Sequence, residues 1–391
     1  MFYQPLTTSY YRGTTFRIYP YFAGVDIRTV PTFGPAVQEL LAQGTGLAVQ
    51  KRSEFIDYDA KQPYTVQYHA SVQHEIGGIV GEMAYLGSRG YHLPFYGDPN
   101  SVPVRLNAAD GHYQVIPDAS LRYPSWGRIR TRTNVARSWY NGMTASVNRR
   151  FSDGLLFQGS YTYGHSSDTW SGGQIGNQDF ENGFGSATDW WNPQAELGPS
   201  SFDVRHSFVF NAVYQLPFGR NRTGTAAAIV GGWQVGVIAT LASGVPFTPY
   251  IGYDYAKDGS SDQTMQKPDW AAGRNGANAI IGTPDNWFDS TAFVLPPPGE
   301  YGTVGRNSLR GPDLKLVDLS IFKNVKVGAQ SLQFRLEVFN LLNRANFATP
   351  GSNNGPSVLF NADGTRIPGA TQITHTVTTS RQVQLGLKVV F

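Results

Sequence analysis

The sequence contains no cysteine, which excludes disulfide bonds, thiolate metal centres and cysteine nucleophiles. Charged residues are also few, at 15% of 391 residues, where about 25% is usual for soluble domains. The formal net charge of +3 is too small an excess to indicate nucleic-acid binding, so no nucleic-acid partner is predicted. No apolar run reaches the length of about 18 residues that a transmembrane helix needs. The segment Met1–Pro5 has neither the basic nor the apolar region of a secretory signal, so no signal is predicted there.

Glycine and aromatic residues are abundant instead. Glycine accounts for 44 residues, and Phe, Trp and Tyr together make up 13% of the chain. Disordered chains have few aromatic residues and much charge, so this composition favours a folded chain. The length suits either two or three ordinary domains or one large all-β unit.

Apolar and polar residues alternate along nine segments, which is the pattern of half-exposed β-strands. In the segment 203–216, for example, Phe208 and Phe210 alternate with Ser207 and Asn211. The predicted strands are 65–75, 79–87, 138–150, 155–166, 203–216, 232–243, 314–323, 331–340 and 381–391.

The predicted connections between these strands alternate in length. The short ones are 76–78, 151–154, 217–231 and 324–330, and the long ones are 88–137, 167–202, 244–313 and 341–379. Soluble domains rarely contain structureless loops longer than about 12–15 residues. Outer-membrane β-barrels, by contrast, combine short periplasmic turns with long extracellular loops. We therefore expect an all-β fold: an antiparallel transmembrane β-barrel, or about 9–10 strands of a larger one, in the bacterial outer membrane.

The alternation weakens before residue 64. The segment 10–19 is a candidate tenth strand, and 35–43 has the spacing of a short helix. The expected division is an N-terminal segment of uncertain structure, 1–63, followed by a barrel region, 64–391.

The polar side of each strand is expected to line the barrel lumen, because charge facing lipid costs about 2–4 kcal/mol for Arg or Lys at the midplane. Arg335 and Glu337 share this side, where an ion pair bracing neighbouring strands is favoured over contact with a solute. The candidate lumen-facing residues are Gln67, His69, Asn148, Arg150, Asn211, Gln333, Arg335 and Glu337.

Asparagine recurs every third residue at the outer end of the strand 331–340, as Asn340, Asn343 and Asn346. Asparagine tolerates left-handed backbone conformations and bonds its own backbone, so an outer turn is favoured over a ligand site. A basic stretch, Arg128 to Arg137, lies near another outer strand end. Lipopolysaccharide phosphates could bind it, and a solvated strand face explains it equally well.

The last strand ends in a polar–x–Gly–x–x–apolar–x–aromatic pattern formed by Gln384, Gly386, Val389 and Phe391. The pattern resembles the signal that the barrel assembly machinery reads in bacterial outer-membrane barrels. A physical reason exists, since an exposed strand edge can template pairing and a terminal aromatic can anchor at the interface. The alternative is an ordinary amphipathic last strand.

Several segments together resemble the C-terminal barrel of TonB-dependent receptors of the Oar-like group, over about residues 60 to 391. The richest is 334–347, and the others are 71–75, 85–90, 140–142, 203–206, 232–234, 243–248 and 305–312. The resemblance implies a barrel that admits a solute through its lumen, with TonB displacing a plug. No plug or TonB-contacting segment is recognised in the sequence, so the resemblance implies a partial barrel. Such barrels have about 22 strands.

Signals for catalysis or metal binding are weak, so no enzyme, cofactor or metal site is predicted. The seven histidines include no i, i+4 pair, and Asp254, Asp258 and Asp262 do not fit the EF-hand pattern. Two alternatives remain. One is a self-contained small outer-membrane barrel, either a porin or a hydrolase with its site at the rim. The other is a secreted β-sandwich adhesin, which would be soluble without detergent.

Overall fold

The structure is a computed structural model. It describes residues 2–3, 23–24, 50–116, 119–171, 188–219, 224–259, 266–327, 330–351 and 357–390. The candidate strand 10–19, the candidate helix 35–43 and the terminal Phe391 lie outside the described residues. In the described ranges, no helix combines the length and the apolarity that crossing a membrane requires.

Nine long strands of the described chain form one continuous sheet, here called the wall, in which each strand pairs with its neighbours in the sequence. All eight pairings between them are antiparallel. This arrangement confirms the predicted all-β, antiparallel fold class. The strands are β1 (Tyr64–Ile76), β2 (Ile79–Gly97), β3 (Trp126–Ser152), β4 (Leu155–Asp168), β5 (His206–Gln215), β6 (Trp233–Ala242), β7 (Leu314–Val327), β8 (Gln330–Phe339) and β9 (Gln382–Val390).

The wall is open among the described residues. At one edge, Phe2–Tyr3 pairs with the start of β1, and at the other edge β9 pairs with β8. No described pairing joins the two edges, which agrees with a partial barrel. The segment Gln50–Ile56 pairs in parallel with the first residues of β3.

One face of the wall is both apolar and exposed. On β9, Val383, Leu385 and Leu387 are 62%, 79% and 61% exposed, and Met83 and Met143 lie on the same face. Monomeric soluble proteins rarely expose apolar patches of this extent. A bilayer covers such a face with hydrocarbon, as it does the outward side of outer-membrane barrels.

The strands β2 and β3 extend further than their alternation predicts, so the predicted connection 88–137 is too long. Both continue past a register shift that follows Gly90, and the connection between them is 98–125. Beyond the shift, Phe95 and Ala136 are buried against Trp170 and Trp190. Because both sides of these strand ends face protein instead of lipid on one side and water on the other, apolar and polar residues no longer alternate there.

The long connections all lie at one end of the wall, opposite the short turns at 77–78 and 153–154. Their described parts, within 98–125, 169–205, 243–313 and 340–381, fold into what we call the outer module. Its apolar core includes Phe247, Phe288, Phe293, Leu309 and Leu359, all at most 1% exposed. Short strands tie the connections together, among them Tyr113–Val115 paired with Glu300–Tyr301. Barrels place such loops on the extracellular side. At the opposite end, the connection between β5 and β6 includes a short helix, α1 (Gly224–Val230).

Candidate functional site

The register of the wall brings most of the candidate polar residues onto one face. Residues directly opposite each other on paired strands point to the same side of a sheet, and so do residues two apart on one strand. Following these pairings across the wall connects β1 to β9, through partners such as Asn148 with Gln158 and Glu337 with Gln384. The residues on this polar face are Gln67, His69, Asn148, Asn211, Gln333, Arg335 and Glu337. Arg150 is exposed beside the register shift that ends β3, and its pairing is irregular.

The guanidinium of Arg335 does not make the expected ion pair with Glu337. Its Nε donates a 2.6 Å hydrogen bond to Oε1 of Gln333, and its Cζ lies 5.6 Å from the ring centre of Phe322. Gln333 in turn donates to Asn324 across the sheet at 2.9 Å. The polar face near β7 and β8 is therefore braced by amides and an aromatic ring.

The three asparagines at the outer end of β8 form a hydrogen-bonded turn. Asn340 and Asn343 both have φ of 49°, in the left-handed region. The side chain of Asn340 donates to the carbonyls of Arg344 and Thr379, at 3.0 Å each. Asn346, which is 1% exposed, accepts the backbone N–H of Lys315 at 2.9 Å. These contacts fix the start of the connection 340–381.

The basic stretch from 128 to 137 lies in the outer part of β3, and part of it is buried in protein. Arg132 is buried, at 7% exposure, and its guanidinium lies 5.6 Å from the ring centre of Tyr96. Arg137 is exposed. Burial of Arg132 leaves less of the stretch accessible to phosphates than the sequence predicts.

A buried ion pair holds the outer module to the wall. Arg306 donates from Nη2 to the carboxylate and the carbonyl of Asp168, the last residue of β4. The same side chain donates from Nε to the carbonyl of Glu196 at 2.7 Å. The Glu196 carboxylate pairs with Lys267 at 3.0 Å. Burial disfavours the charge on Glu196, but Lys267 and the N–H of Thr188 keep the pKa of its carboxyl below the ordinary value.

A second buried carboxylate, Asp203, lies where β4 and β5 meet the outer module. It accepts hydrogen bonds from the N–H of Ser166 at 2.7 Å, from Arg205 at 2.9 Å and from Arg310. Burial disfavours its charge, but these donors keep the pKa of Asp203 below the ordinary value. At the outer rim of the wall, Arg306, Glu196 and Asp203 thus each have several hydrogen-bond partners.

Other carboxyls of the outer module have raised pKa values. Burial, together with the neighbouring carboxyl of Asp258, raises the pKa of Asp254 to about 7. Burial also raises the pKa of Asp189 to about 6. The hydroxyl of Tyr301 donates to Asp258. With pKa values near 7 and 6, Asp254 and Asp189 change protonation close to neutral pH and make the outer module sensitive to pH.

The outer module also brings His112 to three carboxylates. Its Nε2 is 2.9 Å from Oδ2 of Asp269, and its Nδ1 is 3.4 Å from Oδ1 of Asp110 and 3.6 Å from Oε2 of Glu300. No motif or spacing in the sequence predicts this cluster, because 157 residues separate His112 from Asp269. Among the described residues, Asp110, His112 and Glu300 form the group whose ligand atoms lie close enough together to hold a metal ion.

Several solved structures to which the chain shows a distant likeness are outer-membrane transporters and receptors. The outer membrane transporter YddB from Escherichia coli is 11% identical, with a TM-score of 0.44 over 87% of this chain and 34% of that one. A mutant of the ferric enterobactin receptor PfeA from Pseudomonas aeruginosa is 12% identical, with a TM-score of 0.41 over 84% of this chain and 31% of that one. The FrpB iron transporter from Neisseria meningitidis is 11% identical, with a TM-score of 0.37 over 86% of this chain and 32% of that one. The chain spans about a third of the length of these structures.

A comparison with curated proteins found no match. The outer membrane beta barrel domain family matches residues 1–384, nearly the whole chain. This agrees with the antiparallel wall, the exposed apolar face and the long loops gathered at one end. The predicted location in the bacterial outer membrane is confirmed, and the chain belongs to the outer membrane beta barrel domain family.

Proposed function

We propose that the chain is the C-terminal barrel part of an outer-membrane TonB-dependent receptor of the Oar-like group. The polar face of the wall lines part of the lumen, and the outer module captures a solute before it enters. The proposal rests on the segments that resemble the family, above all 334–347, together with the arrangement of the wall.

The observation that carries the proposal is the contrast between the two faces of the wall, which is clearest on β8 and β9. One face exposes apolar side chains such as Leu385, while the opposite face carries amide, hydroxyl and charged groups such as Gln333 and Arg335. A sheet with this division, closed into a barrel by further strands, encloses a polar path through the membrane. The hydrogen-bonding groups of this path exchange contacts with a polar solute.

The remaining parts of the mechanism lie in other segments and partners. A plug, displaced by TonB, couples transport to energy from the inner membrane. The barrel assembly machinery inserts the wall by reading Gln384, Gly386, Val389 and Phe391. Outer-membrane lipid contacts the apolar face, and lipopolysaccharide contacts the exposed cations at the outer end, of which Arg137 is one.

The size and the TonB contact of the native protein test the proposal. An antibody against the loop 244–313 would be used to blot the outer-membrane fraction of the source bacterium. The same fraction, extracted in detergent, would be passed over the immobilised periplasmic domain of that bacterium's TonB. A porin of the same membrane is the control for non-specific retention.

We expect a band far above 42.9 kDa that the TonB column retains. A band near 42.9 kDa that flows through would contradict the proposal. In that case the chain would be a small barrel that closes by itself, either a porin or a hydrolase with its site at the rim.

A further inference from the structure

Two connections of the outer module meet at His112. A turn closed by the N–H of Gly111 bonding the carbonyl of Asn107 presents Asp110 and His112. The following strand, Tyr113–Val115, pairs with Glu300–Tyr301, so the side chains of Asp110, His112 and Glu300 converge. The cluster therefore joins the connection 98–125 to the connection 243–313.

The imidazole of His112 is held in one orientation. Its Nε2 is 2.9 Å from Oδ2 of Asp269, and Oδ1 of Asp269 accepts the N–H and the hydroxyl of Thr303, both at 2.7 Å. A carboxylate that accepts Nε2–H leaves Nδ1 as a lone-pair donor, which is how histidine ligands are oriented in metal sites. Nδ1 then faces Asp110 and Glu300.

Two atoms of the cluster are buried without a hydrogen-bond partner. They are Nδ1 of His112 and Oε2 of Glu300, and Glu300 is only 5% exposed. Most buried polar atoms have a hydrogen-bond partner, so two buried atoms that lack one and lie 3.6 Å apart need an explanation. Oε1 of Glu300 does have a donor, Asn107, at 3.4 Å, which fixes the direction of the free oxygen.

The distances fit coordination better than hydrogen bonding. Nδ1 lies 3.4 Å from Asp110 and 3.6 Å from Glu300, beyond the usual range for an N–H···O bond. Ligand atoms about 2.1 Å from a tetrahedral zinc ion lie about 3.4 Å from one another. The three ligand atoms all lie within 4.8 Å of each other, so a small shift would close the set around one ion.

We propose that Asp110, His112 and Glu300 bind one divalent transition-metal ion of the zinc class, with Asp269 as a positioning residue. One nitrogen and two carboxylate oxygens suit zinc in a four-coordinate site, and the fourth position stays open to water or a solute donor. Calcium prefers six to eight oxygens, which this set does not supply. The ion would cross-link the connections 98–125 and 243–313. The inference goes beyond the proposed transport function and does not rest on it.

Protons compete with the metal for Nδ1. Metal binding therefore releases a proton and weakens as the pH falls.

Calorimetry with Zn²⁺ on the complete 391-residue chain tests the proposal. The chain would be folded in detergent, treated with a chelator and titrated with zinc chloride, and with calcium chloride as a comparison. We expect one zinc site per chain and no comparable calcium binding. Glu300→Gln and His112→Ala should each weaken zinc binding at least about tenfold, and Asp269→Asn by about 10–100-fold. His74→Ala, which removes an exposed histidine outside the cluster, should bind zinc as the wild type does.

A measurement on the wild type alone guards against variants that misfold. Zinc should slow the hydrogen exchange of residues 104–115 and 300–303, because the ion would fix both connections. Wild-type protein without a zinc site, or unchanged exchange on zinc addition, would overturn the proposal. So would folded Glu300→Gln and His112→Ala proteins that bind zinc as tightly as the wild type.

Discussion

Arg306 and Asp168 form an ion pair between two segments that are 138 residues apart in the chain. The side chain of Arg306 is 7% exposed and that of Asp168 2% exposed, so both charges are almost withdrawn from water. Asp168 ends β4, while Arg306 belongs to the outer module. The pair therefore fixes the outer module on the wall at one defined position.

Replacing Arg306 should destabilise the outer module strongly. Arg306→Ala leaves the carboxylate of Asp168 buried without its cation, which costs about 3–5 kcal/mol in comparable buried pairs. The free energy of unfolding would be measured by urea titration in detergent, followed by tryptophan fluorescence, since Trp170 lies close to Asp168 in the chain.

A surface pair provides the control for this variant. Arg149 pairs with Asp153 at 3.5 Å, and the side chain of Asp153 is 89% exposed. Arg149→Ala should cost no more than about 1 kcal/mol. Equal losses for Arg306→Ala and Arg149→Ala would show that the buried pair does not anchor the outer module.

The nine strands of the wall could be predicted from the sequence because each strand meets two different surroundings. The hydrocarbon side of β9 requires Val383, Leu385 and Leu387, while its other side tolerates Gln384 and Lys388. This two-residue period is a local property of the sequence, so reading the chain segment by segment recovers it. The outer parts of β2 and β3 lack the period because residues such as Phe95 pack against the outer module.

The contacts of the outer module could not be predicted in the same way. His112 meets Asp269 and Glu300 only after two long connections have folded, and no spacing in the sequence records that meeting. The same holds for Arg306 and Asp168. Buried polar networks depend on which distant segments meet in the folded protein. Neither the alternation of residues nor any short motif in the sequence records those meetings.

A cation on the apolar face should destabilise the wall. Leu385 is 79% exposed near the middle of β9, so Leu385→Arg would place a charge in hydrocarbon, at about 2–4 kcal/mol near the midplane. The neighbouring Gln384→Arg places the same charge on the polar face and should change stability much less. Urea titrations in lipid vesicles would compare the two, and equal losses would contradict the assignment of faces.

The stability of the outer module should fall as the pH rises from about 4 to about 7. Burial and the charge of Asp258 raise the pKa of Asp254 to about 7. An unfolded aspartate ionises near pH 4, so between about pH 4 and 7 only the folded state keeps the proton. The unfolded state then binds fewer protons, which means that the free energy of unfolding decreases with rising pH across this window.

Asp254→Asn isolates this effect. Between about pH 4 and pH 7 the free energy of unfolding of the variant should decrease less than that of the wild type. Asp189, whose pKa is also raised, should still cause a smaller decrease. Asp285→Asn, at an exposed carboxyl of the same module, should keep the wild-type slope. Thermal unfolding at several pH values would measure both, and an unchanged slope in Asp254→Asn would refute the assignment.

The terminal pattern should control insertion into the membrane. Deleting Phe391 removes the aromatic residue that the barrel assembly machinery is proposed to read, so the folded protein in the outer membrane should fall several-fold. The ratio of folded to unfolded bands on unheated gels measures this. Arg381→Ala, outside the pattern, should insert normally, and normal insertion after deletion of Phe391 would show that the residue is not part of the signal.

The two faces of the wall can be distinguished directly because the chain has no native cysteine. Single cysteines at Leu319 and Ser320, which lie side by side on β7 and point to opposite faces, would each carry a fluorophore. Lipids with nitroxide-labelled acyl chains would serve as quenchers in vesicles. The account predicts strong quenching at position 319 and little at position 320. Equal quenching at both positions, or stronger quenching at position 320, would contradict a wall that separates lipid from a polar lumen.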